Sequence, residues 1–396
     1  MEEATGSAHT PALRPLLAAI GTICVVGLAS GLTLPLVSVR LAESGASTTL
    51  IAVMAAVPAL GTMGISFALA ALSRRLGTRT LLVAGVLLSC ASVAILALPY
   101  APTLWLVSRL ALGVSAGILF ALGEARVLES STAAVRGRWT GLYASALTLC
   151  QFAGPALLAS LGADSRRPIV VAVALHAVAL LLVLGGLRSS DVAEAQEPLS
   201  ARAFVRECLP LAAAALFFAM FDSTMLGLLP LYGLELGLGS AQALLMVSAV
   251  FLGDAILAIP LGWAADRLGR RRVHALCALL CAGAALALPF GLVGTRLLWP
   301  SLLLLGGAAG ALYTLAIVRL GDRYRGTALV AANAVIGLLW GIGSLSGPLL
   351  GSLAMGLMRP HGLMLFVALG AVAVFATLLP RRTARNQPAA AGGDSL

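Results

Sequence analysis

The chain has 396 residues, of which 60% are hydrophobic and only 11% charged. A soluble globular protein carries about 25% charged residues, so water is excluded as the solvent for most of this surface and lipid is the alternative. The formal net charge of +10 does not mark a nucleic-acid binder: all 26 basic residues are arginine, they cluster between apolar runs, and no solvated basic face exists to hold a patch.

Residues 1–14 read as a polar tail. Glu2 and Glu3 stand where a secretory leader would be basic, and the first apolar run is too long for the 7–15 residues or so of a signal peptide. Twelve apolar spans then follow, near 15–39, 48–71, 80–99, 103–124, 140–161, 168–187, 209–232, 240–263, 273–293, 297–318, 327–350 and 361–380. Each has roughly the length that crosses a bilayer as a helix. Backbone groups in hydrocarbon must be satisfied within the segment, and the spans lack the period-two alternation of a barrel. The expectation is an all-α membrane protein. It divides into a tail (1–14), a six-helix bundle (15–187), a polar linker (188–208), a second six-helix bundle (209–380) and a second tail (381–396).

Arginine placement orients the spans. With both ends on one side, that side collects 20 arginines and the other 5, with Arg109 inside span four. Cytoplasmic loops carry such an excess, which predicts cytoplasmic termini in a bacterial inner membrane. The six cysteines lie in or beside apolar spans. Cys277 and Cys281 share a helix face without a histidine or carboxylate, so they read as small apolar residues. No disulfide framework, metal site or cofactor is expected.

The halves repeat. Leu34-Pro35-Leu36 is echoed by Leu229-Pro230-Leu231, Arg75-Leu76-Gly77 by Arg267-Leu268-Gly269, Arg136-Gly137 by Arg325-Gly326 and Gly154-Pro155 by Gly347-Pro348. The order is the same and the offset is nearly constant. Transporter repeats place the substrate site near the midplane between them.

At these residues a family resemblance enters. Gly262-x-x-x-Asp266-Arg267-x-Gly269-Arg270-Arg271, between spans eight and nine, resembles the loop signature of the major facilitator superfamily. Arg109-x-x-x-Gly113 in span four and Gly343-x-x-x-Gly347-Pro348-x-x-Gly351 in span eleven resemble two further motifs of that family. Leu229–Gly233, Leu312-Tyr313 and Ala332-Asn333 are similar to the YcaD-like group of bacterial transporters within it. The resemblance implies a twelve-helix fold of two pseudo-symmetric bundles, and a secondary transporter in which spans one, four, seven and ten line the cavity. One departure stands out: the first-half loop reads Ala70-Ala-Leu-Ser-Arg74-Arg-Leu-Gly-Thr-Arg79, with arginine where Asp266 stands in the second half.

Four ionisable residues deserve a role. Asp254 lies about 14 Å and Asp222 about 15 Å from a membrane edge by helix rise, which puts both near the midplane of a hydrocarbon core about 30 Å thick. Arg109 lies about 9 Å deep, and Glu124 closes span four. A buried charge in a bilayer is costly and marks a site by default, so Asp222, Arg109 and Asp254 are the candidate substrate or proton sites. A direct or water-bridged Arg109–Asp222 pair is expected. Gln151, Asn333 and Tyr313 are weaker candidates. Gly262, Asp266, Arg267, Gly269, Arg270 and Arg271 read as a cytoplasmic gating latch, with ordinary interfacial charge as the alternative. Gly154, Pro155, Gly347 and Pro348 read equally as moving hinges or static kinks.

Hydrolytic chemistry would need a metal cluster, an activated nucleophile or a carboxylate pair, and His9, His176, His274 and His361 are not spaced for one. A channel would need polar rings or a filter loop. The expected function is therefore alternating-access transport of a small molecule by a monomer in the lipid bilayer, coupled to protons, without nucleic acid. Efflux is favoured slightly over uptake of a small metabolite or anion.

Overall fold

The computed structural model describes residues 13–130, 136–186, 200–292, 295–324 and 326–379. The tail residues 1–12, most of the expected linker (188–199) and the tail 381–396 lie outside them. Among the described residues thirteen α-helices follow one another: α1 (Leu13–Glu43), α2 (Thr48–Leu76), α3 (Thr78–Ile95), α4 (Pro102–Ser130), α5 (Arg136–Leu161), α6 (Arg167–Gly186), α7 (Ala201–Glu207), α8 (Leu209–Glu235), α9 (Ser240–Leu268), α10 (Arg270–Ala287), α11 (Leu298–Arg323), α12 (Gly326–Leu357) and α13 (Gly362–Leu378). Eleven are long and apolar enough to cross a membrane, and α13 is an apolar helix of 17 residues. Each expected span is therefore a helix: spans one to six are α1–α6, and spans seven to twelve are α8–α13.

Many helices overrun their apolar windows. α2 continues through Arg74 and Arg75 to Leu76, and α9 through Arg267 to Leu268. Long basic side chains let a helix extend into the headgroup region with the charge kept in water. Both helices then stop at a glycine that only a residue without Cβ adopts readily: Gly77 has φ 80° and Gly269 φ 93°. The repeated Arg-Leu-Gly thus encodes a repeated turn. After α10 the chain widens into a π-helical turn, Leu288–Leu292, at Pro289, which has no N–H to offer the helix ladder.

The linker contains an element that hydropathy does not signal. Ser200 caps α7 by accepting from the Ala203 N–H at 3.4 Å, and Phe204 of α7 is buried. The buried ring docks this short helix on Tyr324, and a span-length hydropathy window averages one ring away.

The helices pack as two sets with the same plan. In the first, α1 lies against α5 and α6, α4 against α2 and α3, and α3 against α6. In the second, α8 lies against α12 and α13, α11 against α9 and α10, and α10 against α13. The two sets meet through α5 with α9, α2 with α12, and α1 with α8. The contacts within each set are close because glycine sits at the crossings: a Cβ on Gly113 would strike the Pro58 carbonyl of α2, and one on Gly253 the Leu303 carbonyl of α11.

The interface between the sets is lopsided. One membrane face carries Arg14, Arg74, Arg75, Arg267 and Arg270–Arg272; the other carries Glu43, Thr48, Glu235, Ser240 and Arg359. On α2 and α9, which mirror each other, buried residues concentrate in the half toward the second face. Toward the arginine-rich face, Phe67 is 85% and Ile259 81% exposed. Polar bonds follow the same pattern. Among the described residues, those crossing between sets run from Ser240 to Glu43 (2.6 Å), from Arg359 to Thr48 (2.8 Å), from Ser248 to the Phe152 carbonyl (3.1 Å) and from Gln151 to Asp222 (3.1 Å). The first two lie at the face opposite the arginines, and Gln151–Asp222 lies at mid-helix.

Candidate functional site

Asp222 sits at the middle of α8 and is 8% exposed. Its Oδ1 accepts a hydrogen bond from Gln151 Nε2 of α5 at 3.1 Å. Gly31 makes this geometry possible: a Cβ there would lie 2.5 Å from the Gln151 carbonyl oxygen, so α5 can press its backbone onto α1 and aim the amide at α8. The bond joins the two sets of helices. Asp254, at the middle of α9, lies within electrostatic range of Asp222. Its carboxylate rests on Gly310 of α11, at a point where any side chain would overlap it.

Arg109 is elsewhere. It is 1% exposed, and it donates from Nε to the Met54 carbonyl at 3.1 Å and from Nη1 to Thr33 Oγ1 at 2.6 Å. The expected Arg109–Asp222 pair is therefore not formed here. The two side chains turn to different neighbours: Arg109 toward α1 and α2 inside the first set, Asp222 toward α5.

One turn from Asp222, on the side of the arginine-rich face, stands an aromatic group of which the sequence singled out only Tyr313, as a weaker candidate. Phe218 lies one helical turn before Asp222. Its ring stacks on Tyr313 of α11 at 5.3 Å and meets Trp340 of α12 edge-on at 5.8 Å, and Tyr313 and Trp340 are 5.2 Å apart. The available signal was spacing, since Phe218 and Asp222 are four residues apart on one helix face. Glu124, expected to be interfacial, is half-buried and within electrostatic range of Tyr313.

At the arginine-rich face the signature loop binds four helix ends together. Arg270 pairs with Asp322 at the end of α11 and with Asp266 at 3.7 Å. Arg271 donates to the Leu378 carbonyl of α13 at 3.0 and 2.6 Å, and Arg267 lies 3.8 Å over the Trp263 ring. These contacts stay within the second set. Gly269 supplies the turn, whereas Gly262 faces open space. Asp322 was not singled out in the sequence. Gly154 and Gly347 are both packing points in uninterrupted helices: a Cβ on Gly154 would overlap Gly31 of α1, and one on Gly347 would lie 2.5 Å from the Met220 carbonyl of α8.

The match to known proteins agrees with this architecture. The family model described as Major Facilitator Superfamily matches residues 19–244 and 211–395. The chain belongs to the Major Facilitator Superfamily. It is 26% identical over 375 residues to the MFS-type transporter YfkF of Bacillus subtilis, covering 90% of this chain and 93% of that protein. It is also 26% identical over 294 residues to the MFS-type transporter YcaD of Salmonella dublin, covering 72% and 73%. Among solved structures, the nucleoside transporter NupG superposes with a TM-score of 0.72 at 12% identity, covering 93% of this chain and 99% of that one. A D-xylose-proton symporter gives 0.71 at 16% identity, covering 93% and 96%. A bacterial homologue of the lysosomal transporter Spinster, inward-facing and unoccupied, gives 0.69 at 13% identity, covering 94% and 95%. This MFS protein is thus a multi-pass membrane transporter of the YcaD-like group rather than an enzyme.

Proposed function

We propose that this chain is a proton-coupled, alternating-access exporter of amphipathic cations. It acts as a monomer in the bacterial inner membrane with both termini cytoplasmic, and it is held here open to the cytoplasm. The observation that carries the reading is the placing of carboxylates one turn from an aromatic group: Asp222 is four residues from Phe218 on α8, whose ring packs with Tyr313 and Trp340, and Asp254 rests on Gly310, three residues before Tyr313 on α11. Aromatic faces attract a desolvated organic cation, and a carboxylate supplies the countercharge. Asp222 is then the group for which proton and cargo compete. Its bond to Gln151 also ties the competition to the contact between the two sets of helices. The orientation rests on the arginine asymmetry.

Uptake of a small anion is the alternative, and it would rest on Arg109, whose buried Nη2 has no hydrogen-bond partner. Two of its other donors are already bound and the group lies on the sealed side, which favours the cation. The test uses ethidium in proteoliposomes. A pH gradient should drive its concentrative movement in the parent and not in Asp222→Asn, while ethidium binding persists. Gradient-driven flux that is unchanged in Asp222→Asn would remove Asp222 from the mechanism.

A further inference from the structure

We propose that the groove between α7, the start of α8 and α12 binds an anionic phospholipid, with the phosphate between Arg202 and Arg206 and an acyl chain along α12. α7 has two unlike faces. One is fixed to the end of α11: the Phe204 and Tyr324 rings lie 6.1 Å apart, Glu207 pairs with Arg323 at 3.7 Å, and Cys208 Sγ meets the Tyr324 hydroxyl at 3.4 Å. That anchorage turns Arg202, Val205 and Arg206 toward a groove of about 530 Å³, whose far wall is Val335, Leu338 and Ile342 of α12.

The chemistry of the two walls selects the occupant. Arg202 and Arg206 are one helical turn apart, where like charges repel, and neither has an acidic partner among the described residues. An anion between them removes the repulsion. The opposite wall is apolar, with Leu338 and Ile342 each 41% exposed, and runs about 10 Å along α12 from Val335 to Ile342. A charged head beside a strip of hydrocarbon is the layout of a membrane lipid, and basic pockets between transmembrane helices hold anionic headgroups. A soluble phosphate has no use for the strip, and a zwitterionic lipid brings a second cation to the arginines.

The test is native mass spectrometry of the full-length protein in dodecyl maltoside, with dioleoyl phosphatidylglycerol and dioleoyl phosphatidylcholine as probes. Each arginine near the surface is worth about fivefold in affinity, so the pair should favour phosphatidylglycerol by roughly thirtyfold. Arg202→Gln with Arg206→Gln should abolish the preference. Ile342→Asn should weaken phosphatidylglycerol retention with both arginines intact. Arg74→Gln with Arg75→Gln, on the same face but outside the groove, should leave it unchanged. Equal retention of the two lipids would overturn the proposal, as would an equal loss in the Arg74 and Arg75 variant. Glycerol phosphate displacing the lipid as well as free phosphatidylglycerol does would make this a site for soluble anions and overturn it too. A preference that emerges only after Asp191, Glu194 and Glu197 are neutralised would assign the groove to the acidic stretch before α7 instead.

Discussion

The two membrane faces of this transporter differ in whether polar bonds cross between the helix sets, although bonds within a set occur at both, as from Arg40 to the Leu96 and Ala163 carbonyls. At the face opposite the arginines, side chains bond across the two helix sets, Ser240 to Glu43 and Arg359 to Thr48. At the arginine-rich face they bond within one set: Arg270 holds Asp266 and Asp322, and Arg79 reaches the Leu184 carbonyl. One face is therefore a closed seam and the other a pair of separately braced rims. The contrast teaches that the two faces are told apart by which bonds cross the interface, since packing within each set follows the same plan in both halves.

The largest way to break this contrast is at its midpoint. Asp222→Asn keeps the shape but not the titratable group, and should lower pH-driven ethidium flux at least tenfold while sparing binding; flux in proteoliposomes at fixed internal pH checks it. Trp340→Ala should raise the apparent KM for ethidium by roughly threefold to thirtyfold with a smaller effect on maximal rate, the range expected for loss of one cation–π contact. Unchanged KM would take Trp340 out of the binding site. Asp266→Asn should slow turnover a few-fold with normal insertion. It frees Arg270 from one partner while Asp322 remains, so Asp322→Asn combined with it should slow turnover further. Additive, negligible effects in both would reduce the loop to interfacial charge. The smallest change is expected from Glu43→Gln, which weakens one exposed bond of the seam. The glutamine amide can still accept from Ser240, so only the charge assistance of the bond is lost, about 1 kcal/mol, and the open population at that face should rise by no more than roughly fivefold, read by thiol labelling at position 44.

The helices and their repeat were legible because hydropathy over a span and the Arg-Leu-Gly turns are local signals. Asp222 and Asp254 were legible because a charge in an apolar run stands out at any azimuth. Partner choice was not: Arg109 turns to Thr33 and Met54, while Asp222 meets Gln151, which Gly31 lets approach by admitting α5 close to α1. Tyr313 was named, but its grouping with Phe218 and Trp340 was hidden for the same reason, since the three are far apart in sequence and meet only through the packing of α8, α11 and α12. α7 was hidden because its burial rests on one ring, Phe204.

The most direct test measures both faces at once. In a cysteine-free background, nitroxide pairs at positions 44 and 242 and at positions 74 and 272 report the sealed and open faces, and double electron–electron resonance in lipid nanodiscs gives each distance. Alternating access predicts that ethidium or a change of pH lengthens the first distance as it shortens the second. Two distances that stay fixed in every condition, or that lengthen together, would contradict it.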